Sequence, residues 1–308
     1  MIPILGIYAS QIAGHLQIRA AYFAGGNDGS NISSIDKIAF SADTKSTLSA
    51  TLSTARYALA GAANSGTAAY FAGGAGGSYS SSIDKIAFSG DTKSTLSATL
   101  STARYALAGA ANSGTAAYFA GGYSNSYISG IDKIAFSADT KSTLSATLST
   151  ARQALAGAAN SGTAAYFAGG VGVSYTSSID KIAFSADTQS TLSATLSSIR
   201  ASLAGAANSG TAAYFAGGAG GSYSSSIDKI AFSADTQSTL SATLSSIRAS
   251  LAGAANSGTA AYFAGGNNGS NLSGIDKIAF SGDTQSTLSA TLSTARQALA
   301  GAANSGAI

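Results

Sequence analysis

The chain has 308 residues, a formal net charge of +3 and only 9% charged residues, with no Cys, no Trp and no Glu. This composition excludes a disulfide framework and a Cys-ligated metal centre, and the evenly spread charge leaves no basic patch for nucleic acid. No uninterrupted apolar run is long enough to cross a membrane as a helix.

The N-terminal segment, Met1–Arg19, reads MIPILGIYASQIAGHLQIR. Its apolar run, Ile2–Ala9, is short and lacks both a basic flank and a clear small-x-small cleavage site. A docking or anchoring segment is therefore expected at 1–19. From residue 20 the chain is repeat. Tyr22, Tyr70, Tyr118, Tyr166, Tyr214 and Tyr262 recur every 48 residues, each inside the phrase AAYFAGG. A fixed period of this length marks a repeat architecture, so residues 20–308 are expected to form one domain of six units.

One unit illustrates all six. Tyr57–Ala63 is small and apolar and predicts a first strand. Asn64–Gly66, NSG, is a turn signal of residues that tolerate positive φ. Thr67–Gly74 predicts a second strand, β-prone at Tyr70 and Phe71 and stopped by two glycines. A loop of Gly, Ser and Tyr follows. Ile83–Phe88 predicts a third strand, with Ile86 and Phe88 on one face. Ser89–Thr92 predicts a turn, and Thr95–Leu100 a fourth strand with Leu96, Ala98 and Leu100 on one side. Ala and Leu favour helices, but the glycine pairs, the Ser and Thr frequency and the period-2 alternation oppose one. The predicted core is Phe23, Ile38, Phe40, Leu48, Leu52, Leu59 and their equivalents.

Four antiparallel strands in about 48 residues are the signature of a β-propeller blade. A β-solenoid is the rival, but its coils are shorter and need distinct end caps. The repeat supplies six copies of each strand, beginning on a second strand at Ala20–Gly26 and ending on a first strand at Gln297–Ala303. An all-β, six-bladed propeller is expected, closed by the C-terminal strand joining the N-terminal blade.

These residues resemble the kelch repeat, through AYFAGG, through the Asp-x-x-Thr of SADTKSTL, and through an Arg before the innermost strand; Leu48 stands where kelch has Trp. SADTKSTL is also similar to a degraded Asp-box of sialidase propellers. Pro3–Leu16, PILGIYASQIAGHL, resembles the start of phage tail and other virion structural proteins, which implies a virion or extracellular location after cytoplasmic production.

The six copies can be compared with one another. Copies 166–213 and 214–261 differ only at Val171/Ala219, Val173/Gly221 and Thr176/Ser224, all in the loop after the second strand. The position before the first strand also varies, as Tyr57, Tyr105, Gln153, Ala201, Ala249 and Gln297. In an up-and-down blade both places emerge on one face, opposite the invariant NSG turns. A ligand-binding face is expected there, with Tyr57, Tyr79, Tyr105, Tyr123, Asn125, Tyr127, Tyr175, Tyr223, Asn31 and Asn271 meeting a glycan or protein. Drift of exposed loops is the competing explanation.

Arg56, Arg104, Arg152, Arg200, Arg248 and Arg296 sit at the edge of that face. They predict either an anion-attracting ring at the channel mouth or tethers to carbonyls and aspartates of neighbouring blades. Asp36 and Lys37 point to opposite sides of a strand and are expected to tether adjacent blades. His15 is the only His and lies outside the repeats, so no Ser-His-Asp set is evident. No glycosidase-like carboxylate pair is evident either. No catalytic residue, cofactor or metal is expected. The leading expectation is a non-enzymatic virion- or tail-associated adhesin. The alternative is an assembly scaffold that packs with itself or with virion components through residues 1–19.

Overall fold

The computed structural model describes residues 19–305. The expectations for residues 1–18, His15 among them, lie outside this range. Six four-stranded antiparallel sheets form the blades of a ring. In the second blade the strands are β4 (Ala60–Asn64), β5 (Ala68–Ala72), β6 (Ile83–Ala87) and β7 (Thr92–Thr95), and the same four recur every 48 residues. The first blade contains β1 (Ala20–Ala24), β2 (Ile35–Ala39) and β3 (Thr44–Thr47), and its inner strand is β24 (Ala300–Asn304). β1 pairs with β24 from Ala20↔Asn304 to Ala24↔Ala300, so the C-terminal strand completes the N-terminal blade as expected.

The fourth strand differs from the sequence expectation. It is Thr92–Thr95, not Thr95–Leu100. Asp91 adopts φ 51°, which turns the chain tightly enough for Thr92 to pair directly with Ala87. The leucines that follow are plugs rather than strand residues. The Leu96 and Leu100 amides donate to the carbonyls of Ile83 and Ser81, and Leu100 is buried between blades. The outer strand itself is wholly exposed, so it carries no apolar alternation to read.

Blades pack through repeated clusters. Tyr22 and Ile35 of the first blade meet Phe71, Ile86 and Phe88 of the second. Each buried side chain of this size contributes roughly 1.5–3 kcal/mol. The Tyr22 and Phe88 rings lie 5.0 Å apart, and Phe40 and Tyr262 repeat that contact at the closing interface. Phe23, Ile38, Leu52 and Leu59 are buried as expected, while Phe40 and Leu48 are only partly covered. The fully buried Tyr22 and Ile35 belong in the core beside them.

Polar groups set the register between blades. Tyr22 Oη donates to Asp91 Oδ1 at 2.8 Å, and Lys37 Nζ meets Asp91 Oδ2 at 2.7 Å. The same pair of contacts occurs at all six interfaces, with Asp43 receiving Tyr262 and Lys277 across the closure. Each lysine also sits 5.3–5.5 Å from the centre of its tyrosine ring. Burial pushes the Tyr118 phenol up to about 12, with the Asp187 hydrogen bond adding and Lys133 opposing. The folded state therefore holds this proton more tightly than the unfolded chain, whose tyrosine titrates near 10. The stabilisation is complete below about pH 10 and is lost as pH rises towards 12. Denaturant melts at stepped pH should be flat to about pH 9.5 and then fall steeply, and Tyr118→Phe should lessen that fall.

Two circular networks close the axis. Ala58, Ala106, Ala154, Ser202, Ser250 and Ala298 all have φ between 52° and 57°. Each donates its N–H to the carbonyl of its counterpart in the preceding blade at 2.6–2.7 Å, and Ala58 completes the circle onto Ala298. Below this circle the inner strands touch so closely that a Cβ on Gly157 would lie 2.3 Å from the Gly109 carbonyl oxygen. The NSG turns form the second network. Ser113 N donates to Ser161 Oγ and Gly114 N to Asn64 Oδ1, with equivalents around the ring. The invariance of NSG therefore has an architectural cause.

Candidate functional site

The face opposite the NSG turns carries the variation among copies. In each blade three backbone positions on this face lie side by side, joined by isolated antiparallel bridges. In the third blade they are Tyr105, Tyr123 and Tyr127; in the first they are Gln297, Asn27 and Asn31. In the fourth they are Gln153, Val171 and Tyr175. The backbone is common to all six blades, and the side chains displayed on it differ. All the exposed large hydrophobics among the described residues, Tyr79, Val173, Tyr175, Ile199, Tyr223 and Ile247, also emerge on this face.

The ring of side chains is not uniform. Tyr57, Tyr79, Tyr105, Tyr123 and Tyr127 form one continuous aromatic cluster over the second and third blades. Tyr79 stacks on Tyr105 at 5.1 Å, Tyr105 meets Tyr123 edge-on at 5.8 Å, and Tyr123 meets Tyr127 at 5.4 Å. The first and sixth blades carry an amide chain instead. Tyr223 Oη donates to Asn267 Oδ1, Asn267 Nδ2 to Asn271 Oδ1, Asn271 Nδ2 to the Asn27 carbonyl, and Asn27 Nδ2 to Asn31 Oδ1. Tyr175 stands apart from the aromatic cluster and is 43% exposed. Asn125 adopts φ 61°, a left-handed conformation that Asn tolerates; its counterparts are glycine in four blades and Val173 in the fourth blade.

At the centre of this face the position before the inner strand walls, in four of the blades, a cup of about 480 Å³. Tyr57, Tyr105, Gln153, Gln297 and Asn27 form the wall, and the circle of hydrogen-bonded Ala and Ser residues forms the floor. Gln153 Oε1 is buried without a hydrogen-bond partner. Gln153, Gln297 and Asn27 were not among the expected binding residues. The signal for them was present, because they occupy the same variable positions as the tyrosines.

The arginines do not reach the cup. Each is at most 1% exposed and meets an aspartate at 2.5–3.1 Å. Arg152 Nη2 also donates to the Phe167 carbonyl. Its partner Asp180 is fully buried and accepts from the Ser149 amide and hydroxyl, Gln189 and Thr191 as well. Burial lowers the arginine pKa values, and the aspartate charges oppose that shift. These positive charges are neutralised inside the blades, so they form no anion-attracting ring at the channel mouth. Lys37 and Asp36 bond to adjacent elements on opposite sides of their strand, Asp91 of the next blade and Ser293 and Arg296 of the incoming connection.

Among the described residues no group of three His, Cys, Asp or Glu side chains is placed to hold a metal ion. Among the described residues no helix is long and apolar enough to cross a membrane. The fold defines the class of protein: a six-bladed β-propeller with a frame repeated in every blade and one varied face, an arrangement consistent with binding or scaffolding. No known family model matches the sequence, and neither does any curated protein.

Proposed function

We propose that the protein is a non-enzymatic binding propeller that recognises a glycan or protein ligand through its variable-loop face. The observation that supports this reading is the confinement of variation. Interblade contacts, axial networks and NSG turns repeat almost unchanged, whereas the three bridged positions of each blade change from Tyr to Asn, Gln, Val or Ala. Drift alone would also reach the exposed outer strands, which vary only between Lys and Gln. Tyr and Asn are suited to recognition because they offer large contact area and adaptable hydrogen bonding at low entropic cost. The setting we propose is a virion or tail surface, on the resemblance of Pro3–Leu16, and we propose kelch kinship on AYFAGG and the repeated arginine before each inner strand.

The test is saturable retention on a glycan array and on candidate surface proteins. Tyr79→Ala with Tyr127→Ala should weaken retention at least tenfold and lower the melting temperature only modestly, since Tyr79 is exposed, Tyr127 is half-buried, and each aromatic pair lost is worth about 0.5–1.5 kcal/mol. Ser89→Ala with Ser137→Ala, on the opposite face, should leave retention unchanged. Absence of any saturable ligand, with assembly that depends on residues 1–19, would replace this reading with the scaffold.

A further inference from the structure

The cup at the centre of the variable face has a chemistry narrower than "polar ligand". Its walls and floor contain Tyr, Gln, Asn, Ala and Ser and no charged residue. The nearby arginines are buried against aspartates, and the tethering lysines are paired with the other aspartates of the blades. Only Asp28 carries a charge in the variable loops; it is exposed, and its Oδ1 accepts from the Ser30 amide. An ionic ligand would therefore enter the cup with no counter-charge to replace its lost hydration. A purely apolar ligand would strand the amides of the wall. The volume, about 480 Å³, falls in the range of small-ligand sites, roughly 300–1,000 Å³.

Two features point to the complementary chemistry. Tyr57 and Tyr105 stand in the wall with ring centres 6.4 Å apart, presenting aromatic surface to the same space. Gln153 and Gln297 line the same wall with amides that both donate and accept, and a modest turn of the Gln153 side chain would bring its buried, partnerless Oε1 to a donor in the cup. A ligand with hydroxyl donors on its edges and a C–H face to lay on a tyrosine satisfies both. We propose that the cup is the primary subsite for one uncharged sugar residue of a glycan, held on Tyr57 and Tyr105 and hydrogen-bonded by Gln153 and Gln297. The outer tyrosines then contact the units that follow. This rests on the binding-face reading above and fixes its ligand class.

The test compares neutral, sialylated and sulfated glycans on one array, at 50 and 500 mM NaCl. The variants are Tyr105→Ala, Gln153→Leu and Ala249→Tyr. The last places a tyrosine where the second and third blades already carry one, so the frame accepts it while the cup is filled. Ser89→Ala with Ser137→Ala, exposed on the opposite face, serves as the control. The expected result is retention of a neutral glycan that is insensitive to salt, falls at least tenfold in all three cup variants and is unchanged in the opposite-face control. Thermal melts of each variant exclude misfolding as the cause. Neutral-glycan retention that survives the cup variants but is lost in Tyr175→Ala overturns the cup and leaves the binding face standing. Retention restricted to anionic glycans and weakened by salt overturns the uncharged ligand. No sugar binding, with a protein ligand lost on Tyr79→Ala and Tyr127→Ala, overturns the inference but not the binding face.

Discussion

Replacing Asp180 with alanine is expected to destabilise the ring by about 3–5 kcal/mol, the usual consequence of removing one partner from a buried ion pair. Asp180 is fully buried, accepts hydrogen bonds from four donors, Ser149 N and Oγ, Gln189 Nε2 and Thr191 Oγ1, and forms an ion pair with Arg152 Nη2. It therefore joins three pieces of chain: the connection entering the fourth blade, the third strand on which it sits, and the outer strand. Without it Arg152 keeps its charge in a site at most 1% exposed, with Nε already lacking a partner. The double change Arg152→Met with Asp180→Leu removes both charges and should recover much of the loss, because apolar replacement of a buried pair is often close to neutral. Urea melts of the three chains check this. Equal destabilisation in single and double variants would show that the hydrogen bonds to Ser149 and Thr191, rather than the stranded charge, dominate.

A larger effect is expected from ending the chain at Arg296. This removes β24, and with it the five-residue pairing that covers the buried strand Ala20–Ala24. It also opens the axial circle, since Ala298 is both acceptor for Ala58 and donor to Ser250. The loss should be comparable with the whole stability of an ordinary domain, about 5–15 kcal/mol. The uncovered edge is a template for pairing with other copies. The truncated chain should leave the monomer peak in size-exclusion chromatography and lose its cooperative melt. A peptide spanning Gln297–Gly306 should restore both. A truncated chain that stays monomeric with an unchanged melt would contradict closure through β24.

Much of this frame was legible from residue spacing. The 48-residue recurrence of AYFAGG and the equal number of each strand pointed to six blades and to the closing strand. The fourth strand was not legible, for a physical reason. Thr92–Thr95 is exposed on both faces and carries no apolar alternation, whereas Leu96, Ala98 and Leu100 alternate but serve as loop plugs. The buried pairs were hard to read for another reason. Arg152 and Asp180 are 28 residues apart, and six near-identical copies offer each arginine six equivalent aspartates. Only the ring geometry selects one. The cup arises in the same way, because Tyr57, Gln153 and Gln297 become neighbours only when six blades converge on an axis. What the copies did reveal was which positions are free to change, and these are the positions the structure gathers on one face.

The frame that folds is separate from the face that binds, and one variant tests that separation most directly. All six loops after the second strand can be rewritten as AGGSYSSS, the form already present at 75–82 and 219–226, with Ala before every inner strand as at Ala201 and Ala249. The measurement is retention of this homogenised ring on the array, beside the natural chain and with melts of both. The expected result is a melting temperature within a few degrees of the natural chain and at least a tenfold loss of retention. A homogenised ring that folds and binds with undiminished affinity would contradict it.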